Sequence, residues 1–360
     1  MITDATRARF AALAEFVEGH PGRGRWLVLT HDNPDPDAIA AAVVLAGLIR
    51  RAFGRPATVA YGGLIGRAEN REMVRSLGLT LTHVRSLQWS RYKHFALVDT
   101  QPQTGNNQLP ETITPDLVID HHPQRKASYA VPLADVRKGY GATATILAEY
   151  LLESGTTINR RVATALVYAI RSETQDFSRG LGVGPDKEIY DLLMPHADKR
   201  LLARILYPRL PQRYFHDLQQ ALENLESVGS LIISHLGVVE QPDIVPEIAD
   251  LLLRHEGKTW SLCTGVYEDR VYLSIRTSNP RAEAGRLMRK LLGKRGKGGG
   301  HGQLAGGWLP SAKAAGGDVL ALQKQLAARL AQLLKKNPER IEQLSLKTPG
   351  KEETVATPTR

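Results

Sequence analysis

Four short apolar runs punctuate the first third of the chain: WLVLT at residues 26–30, ATVAY at 57–61, FALVD at 95–99 and LVID at 117–120. Each has strand length and ends in polar or turn-forming residues. Between and after them, apolar residues recur at helical spacing over residues 38–53, 142–153, 160–172 and 187–193. Residues 1–16 read as a further amphipathic helix. This alternation predicts an α/β fold with a mostly parallel sheet flanked by helices.

The pattern changes after residue 198. A mostly polar helical passage over 199–227, interrupted around LYPRLPQ, reads as a connector. SLIISHLG follows, then a helix near 248–255, then WSLCTGVYEDRVYLSIRT at 260–277, which alternates about a polar turn and predicts an antiparallel hairpin. Helices near 282–292 and 319–335 complete a smaller C-terminal α/β domain with a mixed sheet. The expected organisation is a first domain over 1–198, a connector over 199–228, a second domain over 229–340 and a disordered tail over 341–360.

The chemistry concentrates at strand ends. HDNPDPDA at 31–38 follows the first apolar run and puts one imidazole beside three carboxylates, with two prolines that argue against regular structure inside the turn. FALVD stops at Asp99, and LVID stops at Asp120, His121 and His122. Parallel strands share one carboxyl edge, so the sheet predicts that His31, Asp35, Asp37, Asp99, Asp120, His121 and His122 converge. So many carboxylates cannot lie close and ionised without a compensating cation. Imidazole and carboxylate donors without sulfur suit a divalent transition metal, and the number of donors exceeds what one ion needs. Two ions sharing a carboxylate is the arrangement that clamps the oxygens of a phosphoryl transfer.

Composition narrows the setting. With 42% hydrophobic residues, the 360-residue chain can form two cores, and no apolar run is long enough for a membrane span. The acidic N-terminal helix does not read as a signal peptide, and Cys263 is the single cysteine, so a cytoplasmic setting is expected. The formal charge of +10 favours an anionic partner. Seven Lys or Arg against one acid, Glu283, lie between residues 281 and 297, just before the glycine run of GKGGGHGQLAGG at 296–307. Glycines let backbone N–H groups approach a phosphate, so that run reads as an anion-binding loop.

These motifs carry a resemblance. HDNPDPDA resembles the H-x-x-P-D-x-D-A opening of the DHH phosphoesterase superfamily, DHHP at 120–123 resembles its signature, and GKGGGHGQLAGG resembles the G-G-G-H motif of the DHH-associated C-terminal domain. The resemblance implies that His31, Asp35 and Asp99 hold a first metal and that Asp37, Asp99, His121 and a fourth acid hold a second. It also implies that His122 faces the substrate phosphate and that Asp120 orients the histidines. The fourth motif departs from the family's Asp-Thr: YAIRSETQDFSRG at 168–180 aligns Glu173 with the expected Asp, and Asp176 is the alternative. Arg276 in LSIRTS, with Gly299, Gly300 and His301, falls where the family binds substrate phosphate.

The resemblance implies two divalent ions, with Mn²⁺ expected, and hydrolysis of a phosphate ester. Within the superfamily the chain resembles the compact oligoribonucleases that degrade short RNA and dephosphorylate 3′-phosphoadenosine 5′-phosphate, so short RNA, that nucleotide or a linear dinucleotide is the expected substrate. The alternatives are a pyrophosphatase or exopolyphosphatase, a single-strand exonuclease, and a non-catalytic nucleotide receptor. A homodimer is compatible with the sequence and not required by it.

Overall fold

The structure, a computed structural model, describes residues 3–19, 24–177, 184–311 and 318–345. The chain forms two compact units, Met1–Arg209 and Leu210–Arg360.

The first unit runs α1 (Asp4–Gly19), β1 (Arg25–Leu29), α2 (Pro36–Arg51), β2 (Ala57–Tyr61), α3 (Ala68–Leu77), β3 (Thr82–His83), β4 (Tyr92–Val98), β5 (Leu117–Asp120), β6 (Leu133–Val136), α4 (Thr143–Glu153), α5 (Arg160–Glu173), α6 (Pro185–Leu193) and α7 (Lys199–Leu206). Its six strands are all parallel, in the order β3-β2-β1-β4-β5-β6. The order reverses between β1 and β4, and open α/β sheets place their ligands outside the carboxyl ends at such a switch point. Helices cover one face through a core that includes Val28, Leu45, Ile49, Val98, Ile119, Leu147 and Val167. The other face, with Leu27, Leu29, Leu97 and Val118, is covered by Val84, Leu87, Trp89 and Leu109 from irregular segments. The two-residue β3 and the half-polar β6 have too short a pattern to be read from sequence.

Pro36 does not break the acidic turn as its composition implied. It occupies the first helical position of α2, where a missing N–H costs nothing, and Asp35 caps the helix by accepting a hydrogen bond from the Ala38 N–H at 3.0 Å. Asp37 therefore belongs to the first turn of α2, where the helix dipole favours its charge.

The second unit contains α8 (Gln212–Glu223), β7 (Leu225–Val228), β8 (Leu231–Val238), α9 (Ile244–Leu252), β9 (Trp260–Tyr267), β10 (Arg270–Thr277), α10 (Ala284–Leu292), β11 (Lys297–His301), β12 (Leu304–Pro310), α11 (Val319–Leu333) and β13 (Glu342–Gln343). Its mixed sheet has the order β11-β12-β10-β9-β8-β7-β13. β9 and β10 form the expected antiparallel hairpin, and β8 joins β9 in parallel. The passage read as a connector is divided: α7 packs on α3 in the first unit and α8 packs on β8 in the second. Order continues past residue 340, because Glu342 and Gln343 pair with Ser227 and Glu226 at the sheet edge; residues 346–360 lie outside the described residues. Cys263 is buried, and burial pushes its thiol up.

One core group of this unit is titratable at mildly acidic pH. His235 on β8 is 5% exposed and its Nδ1 lies 2.7 Å from the Thr264 hydroxyl. Burial, with Lys324 nearby, lowers its pKa to about 4. Between that value and its ordinary one the unfolded chain binds more protons than the folded chain. Stability should be full above about pH 6.5 and roughly 3 kcal/mol smaller by about pH 4. Urea unfolding across this range should show that loss in the wild type and a flatter profile in His235→Gln; parallel profiles would remove the assignment to His235.

Candidate metal centre

Asp99 ends the strand next to the switch point. It adopts left-handed backbone with φ of 57°, which Asp tolerates better than most residues, and is 3% exposed. Its N–H donates to the Ile119 carbonyl at 3.0 Å, and its Oδ1 accepts from the Thr143 hydroxyl at 2.9 Å. Around this carboxylate the structure gathers two donor clusters. His31, Asp35 and Asp99 form one; Asp99, His121 and His122 form the other. Asp99 belongs to both.

The distances suit ligands of a shared cation. His31 Nε2 lies 3.5 Å from Asp99 Oδ2 and 3.9 Å from Asp35 Oδ1, and His121 Nε2 lies 3.6 Å from Asp99 Oδ1. Ligands held about 2.1 Å from a common ion stand roughly 3 to 3.5 Å apart. The tautomers agree. His31 Nδ1 bonds the Asp32 carbonyl at 2.8 Å and His121 Nδ1 bonds the Tyr140 carbonyl at 3.2 Å, which turns both Nε2 atoms toward Asp99. His121 Nε2 is buried without a hydrogen-bond partner, as a ligand atom would be. The residues present thus fit a divalent ion.

Electrostatics tell the same story of concentrated negative charge. Burial opposes the charged forms of His31 and Asp35, but their mutual contact outweighs it, with His31 held well above its usual range and Asp35 lowered to about 2. Asp37 is pushed well up by burial and by the charges of Asp99, Asp35 and Glu173. At His122, burial is outweighed by Asp120, Asp99 and Glu173, which raise it to about 9.

Two predicted ligands stand outside these clusters. Asp37 is 1% exposed, and its two oxygens accept the Thr143 and Ala144 N–H groups at 2.8 and 2.7 Å. It caps α4, whose terminal amides favour the carboxylate. Glu173 closes α5; its charge acts on both Asp37 and His122. Its rival Asp176 is exposed and paired with Arg171. Asp120 is buried and accepts from His122 N at 3.2 Å, from His122 Nδ1 at 2.9 Å and from Gln101 at 2.6 Å. His122, 42% exposed at its side chain, is the most open imidazole of the group.

Three contributors escaped the sequence reading. Gln101, 1% exposed, bonds Asp120, the Pro123 carbonyl, the Arg125 N–H and the Ser128 hydroxyl, which fixes the DHHP turn. Thr143 touches Asp99. Asp186, fully buried at the start of α6, accepts the Gly141 and Ala142 N–H groups at 2.7 and 3.1 Å and so holds the turn that launches α4. An acid just after a helix-starting proline gives no local sign of such a distant partner.

The residues expected to bind phosphate in the second unit are arranged differently from a loop. Gly299 and Gly300 run in β11, and Gly299 pairs opposite Gly306 of β12. The glycines serve packing: a Cβ on Gly285 of α10 would meet the Gly300 carbonyl oxygen at 1.9 Å. His301 pairs through its backbone with Leu304, and its side chain lies outside the described residues. Arg276 is 7% exposed, and its Nε donates to Asp250 of α9 at 2.6 Å while Nη1 donates to the Ile275 and Ala305 carbonyls.

Comparison with known proteins identifies the family. Residues 25–170 match the DHH family, N-terminal domain, and residues 229–335 match the DHHA1 domain. The chain belongs to the DHH phosphoesterase superfamily. It is 36% identical over 286 residues to an uncharacterised protein of Methanocaldococcus jannaschii, covering 79% of this chain and 58% of that one. It is 28% identical over 173 residues to a probable manganese-dependent inorganic pyrophosphatase of Listeria welshimeri, covering 48% of this chain and 55% of that one. The chain thus spans little more than half the length of these relatives. In fold it is similar to an exopolyphosphatase-related protein from Bacteroides fragilis, with a TM-score of 0.67, 15% identity, and coverage of 91% of this chain and 98% of that one.

Asp99→Asn keeps the side-chain shape and the left-handed backbone but removes the shared charge. It should lower bound Mn²⁺, measured by mass spectrometry of the purified protein, by more than half without lowering Tm; wild-type metal content would refute a shared carboxylate. Glu173→Gln should lower metal content more than Asp176→Asn, and the reverse order would move the ligand to Asp176.

Proposed function

We propose that the protein is a phosphoesterase dependent on two divalent ions, Mn²⁺ foremost, that hydrolyses short oligoribonucleotides or small nucleotides such as 3′-phosphoadenosine 5′-phosphate. The observation that carries this reading is the Asp99 carboxylate, shared by the His31/Asp35 and His121/His122 clusters at a sheet switch point. His31, Asp35 and Asp99 would hold one ion; His121 and Asp99, with Asp37 or Glu173 after a local rearrangement, the other. Ions bound there supply Lewis acidity toward the phosphate and lower the pKa of water.

The chain's own groups do the rest. His122, oriented by Asp120 through Nδ1, offers a proton and positive charge to the departing oxygen. Asp120 is held by Gln101, so the imidazole is aimed before substrate arrives. The burial of Asp37, Asp99 and Asp120 keeps water from screening these charges. In the second unit Arg276, held by Asp250, is the group we assign to substrate phosphate, together with Gly299, Gly300 and His301 of the glycine strand.

A pyrophosphatase is the second reading, favoured by the Listeria relative over the DHH portion. The two differ in what lies beyond the scissile phosphate. With 6% aromatic residues the chain is poor in the ring faces on which a long run of nucleobases would stack, so binding should be gained over a few nucleotides only. Values of kcat/KM with Mn²⁺ at fixed ionic strength should be highest for RNA of about two to five nucleotides and fall at least tenfold for strands of roughly twenty. Pyrophosphate as the best substrate would establish the second reading, and a curve rising with length would indicate a processive exonuclease.

A further inference from the structure

Beside the metal centre, within the first unit, lies a cavity of about 570 Å³. Tyr61 ends β2, Arg85 follows β3, and Arg71, Val74 and Arg75 come from α3, with Ile65 also in the lining. The cavity therefore opens at the carboxyl ends of β2 and β3, on the edge where β1 and β4 present His31 and Asp99. Strands are spaced about 4.8 Å apart, so β2 stands on the order of 10 Å along this edge from β4. We infer that this cavity binds a nucleoside phosphate unit of the substrate, adjacent to the phosphate being cleaved.

Three features select that chemistry, and the inference rests on the phosphoesterase reading of Asp99. The first is charge: three guanidinium groups line the cavity and no carboxylate does. Of the nearby acids, Glu72 pairs with Arg75 and Ser76, so that Arg75 enters already part-neutralised, and Asp32 accepts from Gln108 through one oxygen. Guanidinium forks match phosphate oxygens in a way that a point charge does not. The second is the apolar wall of Tyr61, Ile65 and Val74, which inorganic pyrophosphate would leave unused and a base or ribose would cover. The wall is preformed. The His83 ring lies edge-on to Tyr61 at 5.2 Å, its Nε2 bonds the Gly63 carbonyl at 3.0 Å and its Nδ1 accepts from the Arg85 N–H at 3.1 Å.

The third feature is a covalent and hydrogen-bonded link to the metal centre. Asn33, two residues from His31 and from Asp35, donates its N–H to the Gly62 carbonyl at 2.9 Å and accepts the Leu64 N–H at 2.9 Å. Gly63 has φ of 67°, and a Cβ there would meet Asn33 Oδ1 at 2.3 Å, so the cavity lip and the acidic turn touch backbone to side chain. A ligand held by the cavity is thus registered against His31 and Asp35 by a short, stiff connection.

Anisotropy of a fluorescent tetraadenylate with phosphorothioate linkages, bound to the Mn²⁺-loaded full chain, tests this. Arg85→Ala should raise Kd about tenfold and reduce the slope of log Kd against log salt by about one. Tyr61→Leu should raise Kd several-fold with the salt slope unchanged. Arg85→Lys, which keeps the charge and the exposed position, should give an intermediate loss and a wild-type Tm. Arg51→Ala, at the far end of α2, should change Kd less than twofold. Wild-type affinity in both Arg85→Ala and Tyr61→Leu would overturn the inference. Tripolyphosphate displacing the probe as well as triadenylate does would overturn the nucleoside part of it. If the variants weaken binding as expected but the wild type cleaves no phosphoester, the cavity assignment stands and the phosphoesterase reading fails.

Discussion

The repulsion among carboxylates around Asp99 is the constraint from which most of the first unit follows. Asp99, Asp35 and Glu173 act on Asp37, and Asp120, Asp99 and Glu173 act on His122, through a largely buried site where each charge is felt far more strongly than in water. Three of the acids have their own compensation. Asp35 faces His31, Asp37 takes two amides at the start of α4, and Asp120 takes Gln101 and His122. Asp99 has the Thr143 hydroxyl and three histidines at distances too long for hydrogen bonds. It is the one carboxylate that both donor clusters share.

This division of labour explains why the helical side of the sheet is built as it is. α4 starts where its N-terminal amides meet Asp37, and its first hydroxyl meets Asp99. The turn before α4 is held in turn by Asp186 from α6, through Gly141 and Ala142. Tyr140, in the same turn, supplies the carbonyl that sets the His121 tautomer. A single loop, 137–142, therefore transmits the position of α6 to both sides of the metal centre. Its beginning is anchored as firmly: Arg137 pairs with Asp135 and Glu149 at 2.6 and 2.7 Å, in a buried cluster that also receives Thr6 of α1. Buried pairs of this kind are costly to break singly, which favours one geometry for the loop.

The glycines of the second unit shape its packing. In β11 they let α10 lie directly on the strand, and they leave the sheet face near Arg276 without side chains on Gly299 and Gly306. Arg276 is itself oriented by a carboxylate and two carbonyls, so its guanidinium plane is fixed and little rotamer freedom remains to be lost on binding.

Sequence by itself determined the strand ends and their chemistry. WLVLT, ATVAY, FALVD and LVID became β1, β2, β4 and β5 because a buried parallel strand needs a continuous apolar run, and such runs are visible without neighbours. A parallel sheet has one carboxyl edge, so the meeting of His31, Asp35, Asp99, His121 and His122 was implied as soon as those runs were paired. What the tertiary structure decided was partnership. Which acids sit in the clusters and which cap a helix depends on where α4 begins relative to α2, a relation between residues about a hundred positions apart. Gln101 and Asp186 gained their roles from contacts of the same long-range kind. The glycine run of β11 was illegible for another reason: without side chains there is no alternation to read, and only the ladder with β12 makes it a strand. Local pattern records what a residue prefers, whereas a hydrogen bond between distant elements exists only once the fold has brought them together.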